Sequence, residues 1–465
     1  MTRTAVINVV GLTESLLGPA SPRINSFLQK GGKATITPVI PAVTCTAQST
    51  YLTGKLPSEH GIVANGWYNH ELAEVQFWKQ SNHLVQGRKV WEDLRGTVPG
   101  FTCAKLFWWY NMYSGADWSI TPRPMYPADG RKVFDIYTAP MPMRHEIKKD
   151  LGEFPFPTFW GPAAGVKTPQ GGPDAASRWI AESAKWIENR HRPTLSLVYL
   201  PHLDYNLQRL GPAHPDITRD VQAIDAIVGD LIDFLRSCGV TVLLLSEYGI
   251  TPVDTPVHLN RVFRQQGWIA IKDELGLELL DCGASRAFAV ADHQIAHVYL
   301  NDPSLSSTIR KLIEKQPGVD RVLGKEEKAA FGLNHRRAGD LVVLAKENAW
   351  FTYYYWMDDA VAPDFARCVD IHRKPGYDPV ELFLDPALTA PKLQIAWRLL
   401  RKKLGFRMLM DLIPLDATLV KGSHGICPAS TKDHPVVIAE RRSLLSTPVV
   451  QPAEIYDLIT RQVMT

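Results

Sequence analysis

The sequence predicts an α/β protein built on a doubly wound, mostly parallel sheet flanked by helices. Three observations support this: short β-rich apolar runs recur along the chain, helical patterns lie between them, and the 465 residues are 45% hydrophobic. Strands that alternate with helices form parallel sheets. This length suits two or three domains, or one large domain with insertions. We predict a single α/β domain over 1–465.

The predicted strands are short apolar segments. They span Ala5–Val10, Leu195–Leu200, Val240–Leu245 and Leu341–Ala345. We expect the first three to be fully buried strands of the parallel sheet. Ligands of such sheets bind at the carboxyl ends of the strands. The chemistry is therefore expected in the loops that follow these runs.

Two helices are predicted from apolar residues that recur at helical spacing. They span Ala175–Asn189 and Asp220–Ser237, and Gly239 is expected to end the second. The basic, leucine-rich run Trp397–Arg407 predicts a further helix that covers the sheet. A membrane surface or an acidic partner is the alternative for this helix.

Two irregular stretches interrupt the alternation of strands and helices. Residues 101–170 are dense in aromatic residues and prolines and predict a cap inserted over the sheet. Residues 325–395 predict a second insertion near the same site, which includes the aromatic run Trp350–Phe365. These aromatic side chains could roof a substrate site or pack against one another.

Charge and cysteine usage argue against several classes of protein. A net charge of +3 is too small to indicate nucleic-acid binding, and no long basic run dominates, which leaves a local basic patch as the alternative. Six cysteines without a C-x-x-C pair argue against a zinc ribbon or a disulfide scaffold, so we expect buried free thiols. The run MTRTAVINVV is too short for a signal peptide or a transmembrane span, so we expect a soluble cytoplasmic protein.

A hydroxyl is predicted at the start of an early helix. Pro38 and Pro41 prevent a regular helix before Val43, and no helix breaker follows until Gly54, so the helix is expected to begin near Thr44. Free N–H groups and the positive end of the helix dipole attract anions there. Thr44 could therefore cap the helix, or it could attack phosphorus.

The segment 37–66 contains a long ordered motif. Its residues are Pro41, Thr44, Thr53, Gly54, Pro57, His60, Gly61, Ile62 and Asn65. This pattern resembles the nucleophile region of the alkaline phosphatase superfamily, in its type I phosphodiesterase/nucleotide pyrophosphatase branch. The resemblance implies that Thr44 is the nucleophile and that Asn65 helps to hold a phosphoryl oxygen. It extends over nearly the whole chain at the level of the fold.

The superfamily holds two metal ions, usually zinc, on Asp and His side chains that follow the strands. One ion lowers the pKa of the attacking hydroxyl, and the other neutralises charge on the leaving oxygen. The matching positions here are Asp204 in PHLDYNLQRLGP, Glu247 in SEYGITPV and His424 in VKGSHGI. The resemblance implies that these three residues bind a divalent metal, with zinc expected first and manganese as the alternative.

Three positions depart from the family pattern. Val10 stands where an aspartate is expected, and Gln208 and Tyr248 stand where histidines are expected. Val10 and Tyr248 belong to the shell of the same ion, whereas the other ion loses only the imidazole at Gln208. We therefore expect a tighter ion at Asp204 and His424 and a weaker or absent ion beside the nucleophile.

Other side chains could replace the missing ligands, because neutral imidazoles and carboxylates bind zinc and manganese. The candidate replacements are His202, Gln208, His293, His297, Asp370 and His372. For each histidine alone, a hydrogen-bonded structural role is the alternative.

Basic residues could bind the non-reacting oxygens of a phosphate, because arginine pairs with them in a bidentate manner. The candidates are Arg123, Arg373 and Lys374. A solvated surface role is the alternative for each of them.

The sequence thus predicts a metal-dependent hydrolase of small phosphate esters that acts through a threonine phospho-enzyme intermediate. It would be of the phosphodiesterase, nucleotide pyrophosphatase or phosphatase type. A phosphomutase, phosphonate hydrolase or sulfatase is the alternative within the superfamily. A metal-free binding protein on a phosphatase fold is the alternative outside enzymes. The joint presence of Thr44, Asn65, Asp204 and His424 favours the enzyme.

Overall fold

A nine-stranded sheet forms the centre of the protein, whose structure is a computed structural model that describes residues 1–160, 171–406 and 408–465. The strands are, in chain order, β1 Thr4–Val9, β2 Gly32–Ile36, β3 Gly66–Asn69, β4 Glu74–Phe77, β5 Cys103–Leu106, β6 Trp118–Pro122, β7 Ile136–Ala139, β8 Leu195–Leu200, β9 Thr241–Leu245, β10 Thr251–Pro252, β11 Thr255–Val257, β12 Ala270–Glu274, β13 Leu277–Asp281, β14 Ala287–Asp292, β15 Ile295–Leu300, β16 Val319–Leu323, β17 Leu341–Ala345, β18 Ala349–Phe351, β19 Gly422–Ser423, β20 Val436–Ala439 and β21 Val449–Val450.

Among the α-helices, α8 packs against α1, α6 and α7, and α13 packs against α2 and α4. Their bounds are α1 Pro22–Lys30, α2 Thr44–Thr53, α3 Pro57–His60, α4 Val90–Thr97, α5 Met143–Leu151, α6 Ala175–His191, α7 His202–Leu210, α8 Ile217–Ser237, α9 Leu259–Gln265, α10 Ser306–Ile313, α11 Lys325–Ala330, α12 Pro391–Lys403 and α13 Glu454–Met464. Within the described residues, no helix is both long and apolar enough to cross a membrane.

The central sheet has the order β21-β2-β20-β9-β1-β8-β5-β6-β7. Strands β9, β1, β8, β5 and β6 run parallel to one another, whereas β20 pairs antiparallel with β9 and β7 pairs antiparallel with β6. All of β1 is buried, as expected of a strand covered on both faces. The predicted doubly wound, mostly parallel sheet is confirmed.

The predicted cap over residues 101–170 is wrong in its first half. Strands β5, β6 and β7 lie in this range and extend the central sheet at one edge. Residues 161–170 lie outside the described part of the chain. The segments between β6 and β7 and around Phe156 still line the large cavity described below.

A second, smaller sheet of four antiparallel strands has the order β14-β15-β17-β16. The predicted strand Leu341–Ala345 is β17 and belongs to this sheet. The sheet has its own apolar core, built with α9 and α10. The predicted insertion at 325–395 therefore contains part of a second packed layer.

The aromatic run that begins in β18 packs as a core. Trp350, Tyr353, Tyr354, Tyr355 and Trp356 are all buried and contact one another or shared apolar neighbours. None of them lines the large cavity. Of the two alternatives for this run, mutual packing is therefore the one observed.

The helix predicted near residue 400 is α12, but it does not cover the sheet. Trp397 and Leu400 are 59% and 47% exposed. The amphipathic pattern identified a helix and an apolar face, and it carried no information about what that face meets.

Candidate active site

The site lies where the central parallel strands end. Because β1, β8 and β9 are parallel and in register, their carboxyl ends meet at one edge. Asp204 follows β8 in the first turn of α7, and Glu247 and Tyr248 follow β9. Thr44 opens α2 at the same edge, since its hydroxyl lies 3.1 Å from that of Tyr248.

Thr44 is the first residue of α2 rather than its cap. The capping position is Val43, which has extended backbone angles and cannot cap through its side chain. Thr44 is 4% exposed, and it lines the large cavity. The capping alternative is therefore wrong, and the hydroxyl faces the space that a substrate would occupy.

A chain of hydrogen bonds runs from Thr44 through Tyr248 to a carboxylate. The Tyr248 hydroxyl donates to Asp204 Oδ1 at 3.1 Å. Because that hydroxyl has a single hydrogen, Thr44 is the donor in the Thr44–Tyr248 bond. Gln208 Nε2 donates to Asp204 Oδ2 at 2.9 Å, and Tyr377 donates to Gln208 Oε1 at 2.8 Å.

His424 presents an unused nitrogen to the same carboxylate. Its Nδ1 lies 2.7 Å from the Ala42 carbonyl oxygen, so Nδ1 carries the hydrogen and Nε2 carries a lone pair. Nε2 is buried 3.9 Å from Asp204 Oδ1 and has no hydrogen-bond partner among the residues that the structure describes. The ring stacks on Tyr248 with centroids 3.6 Å apart. Burial lowers the pKa of His424 well below its ordinary value, which keeps the ring neutral.

Glu247 is a second buried carboxylate at the site, and it precedes Tyr248 in the chain. Its Oε1 accepts hydrogen bonds from Asn8 and Gln48, whereas Oε2 is buried and has no hydrogen-bond partner in the described part of the chain. Burial raises the pKa of Glu247 to about 8. Gln48, in the second turn of α2, holds Glu247 in place through its hydrogen bond to Oε1.

A hairpin of the second sheet brings two further groups to the site. The turn between β14 and β15 contains His293, whose Nδ1 lies 2.7 Å from Asp292 Oδ1. The His293 ring packs 3.7 Å from that of His424 and 3.5 Å from that of Tyr377. Asp292 was not predicted, although an aspartate beside a proposed ligand at a strand end is a signal that could have revealed it.

Asn65 connects the hairpin to α2. Its Oδ1 accepts the Cys45 N–H at 2.9 Å, and its Nδ2 and backbone N–H donate to Asp292. Asn65 does not line the large cavity. These contacts fix the start of α2, and the predicted contact of Asn65 with a phosphoryl oxygen stays a prediction.

The site contains three buried carboxyl groups that have no lysine or arginine partner among the described residues. Burial raises the pKa of Asp204 to about 7 and that of Asp292 to about 6, beside Glu247. No lysine or arginine of the described residues forms an ion pair with any of the three. Unpaired buried carboxylates are costly, so they are protonated or they face a cation.

The side chains at the site supply some of the ligands that one metal ion needs, and they are too few for two ions. Asp204 and the Nε2 lone pair of His424 suit an ion between them, with His293 packed against His424. Val10 offers no donor, and the Tyr248 hydroxyl is bound to Thr44 and Asp204. In the part of the chain that the structure describes, no three His, Cys, Asp or Glu side chains are arranged to hold a metal.

The other candidate replacement ligands lie in different places. His202 pairs with Asp220 at 3.2 Å, and both nitrogens of His297 contact backbone groups. Asp370 and His372 line the large cavity. Of the six candidates, only His293 and Gln208 contact the predicted ligands, and Gln208 does so through its N–H group.

A cavity of about 1940 Å³ opens from Thr44, Asp204 and Tyr248. Its lining is mainly aromatic and aliphatic and includes Trp78 and Trp109. Arg123 and Arg373 also line it, as predicted for substrate-binding residues, although Arg373 pairs with Asp364 at 3.0 Å.

Lys374 does not reach this cavity. It is buried, and its Nζ lies 2.6 Å from both Asp378 and Glu381. Its charge is therefore neutralised inside the protein, and the predicted contact of Lys374 with a substrate stays a prediction.

Residues 4–378 match the type I phosphodiesterase/nucleotide pyrophosphatase family. The chain belongs to this family. The predicted resemblance is thereby confirmed, and members of the family typically depend on divalent metals.

Two curated relatives match parts of the chain. An uncharacterised pyrophosphatase/phosphodiesterase of Schizosaccharomyces pombe is 28% identical over 98 residues, which cover 18% of this chain and 20% of that protein. Murine ectonucleotide pyrophosphatase/phosphodiesterase family member 7 is 22% identical over 284 residues, which cover 60% of this chain and 56% of that protein. The chain thus spans little more than half of the length of the murine relative.

Solved structures share the fold over nearly the whole chain. Murine ectonucleotide pyrophosphatase/phosphodiesterase 5 superposes with a TM-score of 0.58 at 14% identity and covers 99% of this chain and 95% of its own. Phosphonoacetate hydrolase from Sinorhizobium meliloti 1021, in complex with phosphonoformate, superposes with a TM-score of 0.60 at 14% identity. The superposition covers 99% of this chain and 96% of that chain. At this identity, the likeness establishes the fold.

Proposed function

We propose that the protein hydrolyses phosphate esters, with Thr44 as the nucleophile. The observation that carries this proposal is the position of the Thr44 hydroxyl, at the first residue of α2, facing the cavity and bonded to Tyr248. The helix terminus favours the negative charge of a phosphoryl group at this point.

The surrounding residues prepare this hydroxyl for attack. Because Thr44 donates its hydrogen to Tyr248, the lone pairs of its oxygen are left for phosphorus. The proton that Thr44 loses can pass to the hydrogen-bonded pair of Tyr248 and Asp204, which lies directly beside its hydroxyl. The leaving group departs as an alcohol or a phosphate, and water then hydrolyses the phosphothreonine.

A fold neighbour supports the role of a threonine. The murine family member 5 is recorded as inactive when one threonine is replaced by alanine, and that variant is in complex with AMP. A small phosphorylated substrate of this kind fits the cavity, where Arg123 could pair with phosphate oxygens and aromatic rings could contact an apolar group.

We propose that one divalent ion, zinc or alternatively manganese, binds between Asp204 and His424, with His293 as a third donor. Three unpaired buried carboxylates and two neutral imidazoles support this site. When bound, such an ion would withdraw charge from phosphoryl oxygens. A second ion beside Glu247 would be weak or absent, because Val10 and Tyr248 replace its expected ligands.

Replacing Thr44 with alanine tests the nucleophile. We expect Thr44→Ala to abolish hydrolysis of bis(4-nitrophenyl) phosphate, whereas Thr44→Ser keeps part of it, because only the alanine variant lacks a hydroxyl. Both variants should unfold at the same denaturant concentration as the wild type. Wild-type turnover rates in Thr44→Ala would reject Thr44 as the nucleophile.

A metal-free binding protein is the second candidate function. The lack, among the described residues, of a three-donor metal group favours it. It predicts that purified protein carries no transition metal, gains no activity with Zn²⁺ or Mn²⁺, and still binds AMP. The cytoplasmic location expected from the sequence stays a prediction that cell fractionation can test.

A further inference from the structure

Helix α12 carries an exposed apolar stripe. Leu393, Trp397, Leu400 and Leu404 are 72%, 59%, 47% and 64% exposed. The first three lie in α12 and Leu404 directly follows it, at intervals of four, three and four residues that place side chains on one side of a helix. A contiguous row of large apolar side chains in water marks an interaction surface.

The stripe borders the mouth of the large cavity. Ile395 and Leu399, on another side of α12, line the cavity, as do Phe406 and Leu409 after the helix. Phe406 and Leu409 are themselves 59% and 49% exposed. Whatever covers the stripe therefore also lies against the opening that leads to Thr44.

The same segment is strongly basic. Residues 391–410 contain six lysines or arginines and no acidic residue. Lys392, Arg401 and Lys403 are exposed, and none of them forms an ion pair with a described residue. Arg398 differs, since it bonds to Asp411 and Gln394. The uncompensated charge calls for an anionic partner.

We propose that α12 is an interfacial helix that docks the protein on an anionic lipid bilayer. The stripe would enter the boundary between headgroups and acyl chains, and the flanking basic residues would contact lipid phosphates. At 13 residues, the helix is about 20 Å long. This length suits a helix lying in the membrane plane and is too short to span the bilayer.

A second copy of the chain fits this surface less well. A symmetric contact through the stripe would bring two segments of the same positive charge together, without an acidic residue in either to offset them. An anionic bilayer satisfies both the apolar stripe and its charge.

Vesicle flotation of the full-length protein tests the proposal. Wild-type protein should bind vesicles of phosphatidylcholine with phosphatidylserine roughly tenfold more tightly than vesicles of phosphatidylcholine alone, and added salt should weaken binding. The double variant Trp397→Ser/Leu400→Ser should bind roughly tenfold more weakly. Arg401→Gln/Lys403→Gln should lose most of the preference for anionic vesicles.

Leu72→Ser is the matched control, because Leu72 is 57% exposed and lies between β3 and β4. It should bind vesicles as the wild type does, and thermal unfolding should show that all variants fold. The assay needs no substrate, so its outcome is independent of the proposed hydrolysis. Failure of the wild type to bind anionic vesicles would overturn the proposal. So would unchanged binding by the stripe variant, or a wild-type dimer that the stripe variant converts to a monomer.

Discussion

Tyr248 defines the site at the scale of single residues. It stands where the family motif has a histidine, and its hydroxyl joins Thr44 to Asp204. Its ring also stacks on His424. One side chain thus occupies the position where the family pattern has a metal ligand, and it connects Thr44, the proposed nucleophile, to a buried acid.

Tyr248→Phe should lower kcat by about 100-fold, because it removes the hydroxyl between Thr44 and Asp204 but keeps the stacked ring. Steady-state kinetics with an activated phosphodiester measures the effect. Tyr205→Phe is the control, since the Tyr205 hydroxyl is buried without a hydrogen-bond partner among the described residues. Equal losses in both variants would show that a connecting hydroxyl is not required.

Gln208→His should raise the affinity for zinc at least tenfold. The substitution adds a nitrogen donor next to Asp204 and His424 and extends the proposed ligand set of Asp204, His424 and His293 from three to four donors. Elemental analysis after dialysis against graded chelator gives the comparison with the wild type. Gln208→Asn should show no such gain. If the histidine variant also shows none, the ion does not lie between Asp204 and His424.

At the scale of elements, the loop that contains Lys374 is held by charge inside the protein. Lys374 lies between Asp378 and Glu381, and the Trp160 indole N–H donates to Glu381 at 2.6 Å. All three charged side chains are buried. The arrangement positions Tyr377, which contacts both Gln208 and His293.

Lys374→Ala should lower the free energy of unfolding by roughly 3–5 kcal/mol, because it leaves two carboxylates buried without a cation. Arg373→Ala should cost less than about 1 kcal/mol, since its pair with Asp364 is partly exposed. Urea denaturation compares the two variants. A small loss in Lys374→Ala with a raised KM would instead support the predicted role in substrate binding.

The elements that the sequence predicted correctly are those with strong local patterns. The apolar run Leu195–Leu200 and the helix from Ala175 carry their own periodicity, and the structure reproduces them within two residues. Strands β5, β6 and β7 have four or five residues each, among aromatic residues and prolines, so their pattern resembled an insertion.

The site was only partly predictable for a related reason. Thr44, Asp204 and His424 belong to motifs that are contiguous in sequence. Asp292 and Tyr377 reach the site through long-range packing of a second sheet and a buried loop. No local pattern specifies such contacts, since they depend on how separate elements pack.

At the scale of the whole molecule, the buried carboxyl group of Glu247 makes the free energy of unfolding depend on pH. The folded pKa of Glu247 is raised to about 8, above its value in the unfolded chain. The folded protein therefore holds a proton that the unfolded chain has released, and this stabilising contribution disappears as pH rises through about 8. Below pH 4 both states are protonated, and the contribution is complete.

Glu247→Gln should remove this dependence. In metal-free protein, the stability of the wild type relative to the variant should fall by roughly 2–3 kcal/mol between pH 6 and pH 9. Buried histidines and Lys105 titrate in both proteins, so their effects cancel in the comparison. Denaturant melts at each pH provide the difference, and a difference independent of pH would contradict the proposed protonation of Glu247.

The position of β2 has a consequence for how the protein is made. Within the described part of the chain, β2 pairs with β20 and β21 and with no other strand, so Thr35 can join the sheet after Val436 and Val449 have been made. At roughly 20 residues per second, about 20 s of translation separates the synthesis of β2 from that of β20. Helix α2 follows β2 after seven residues and packs against α13 at the other end of the chain, so Thr44, the proposed nucleophile, lies in a part of the fold that is completed late in translation.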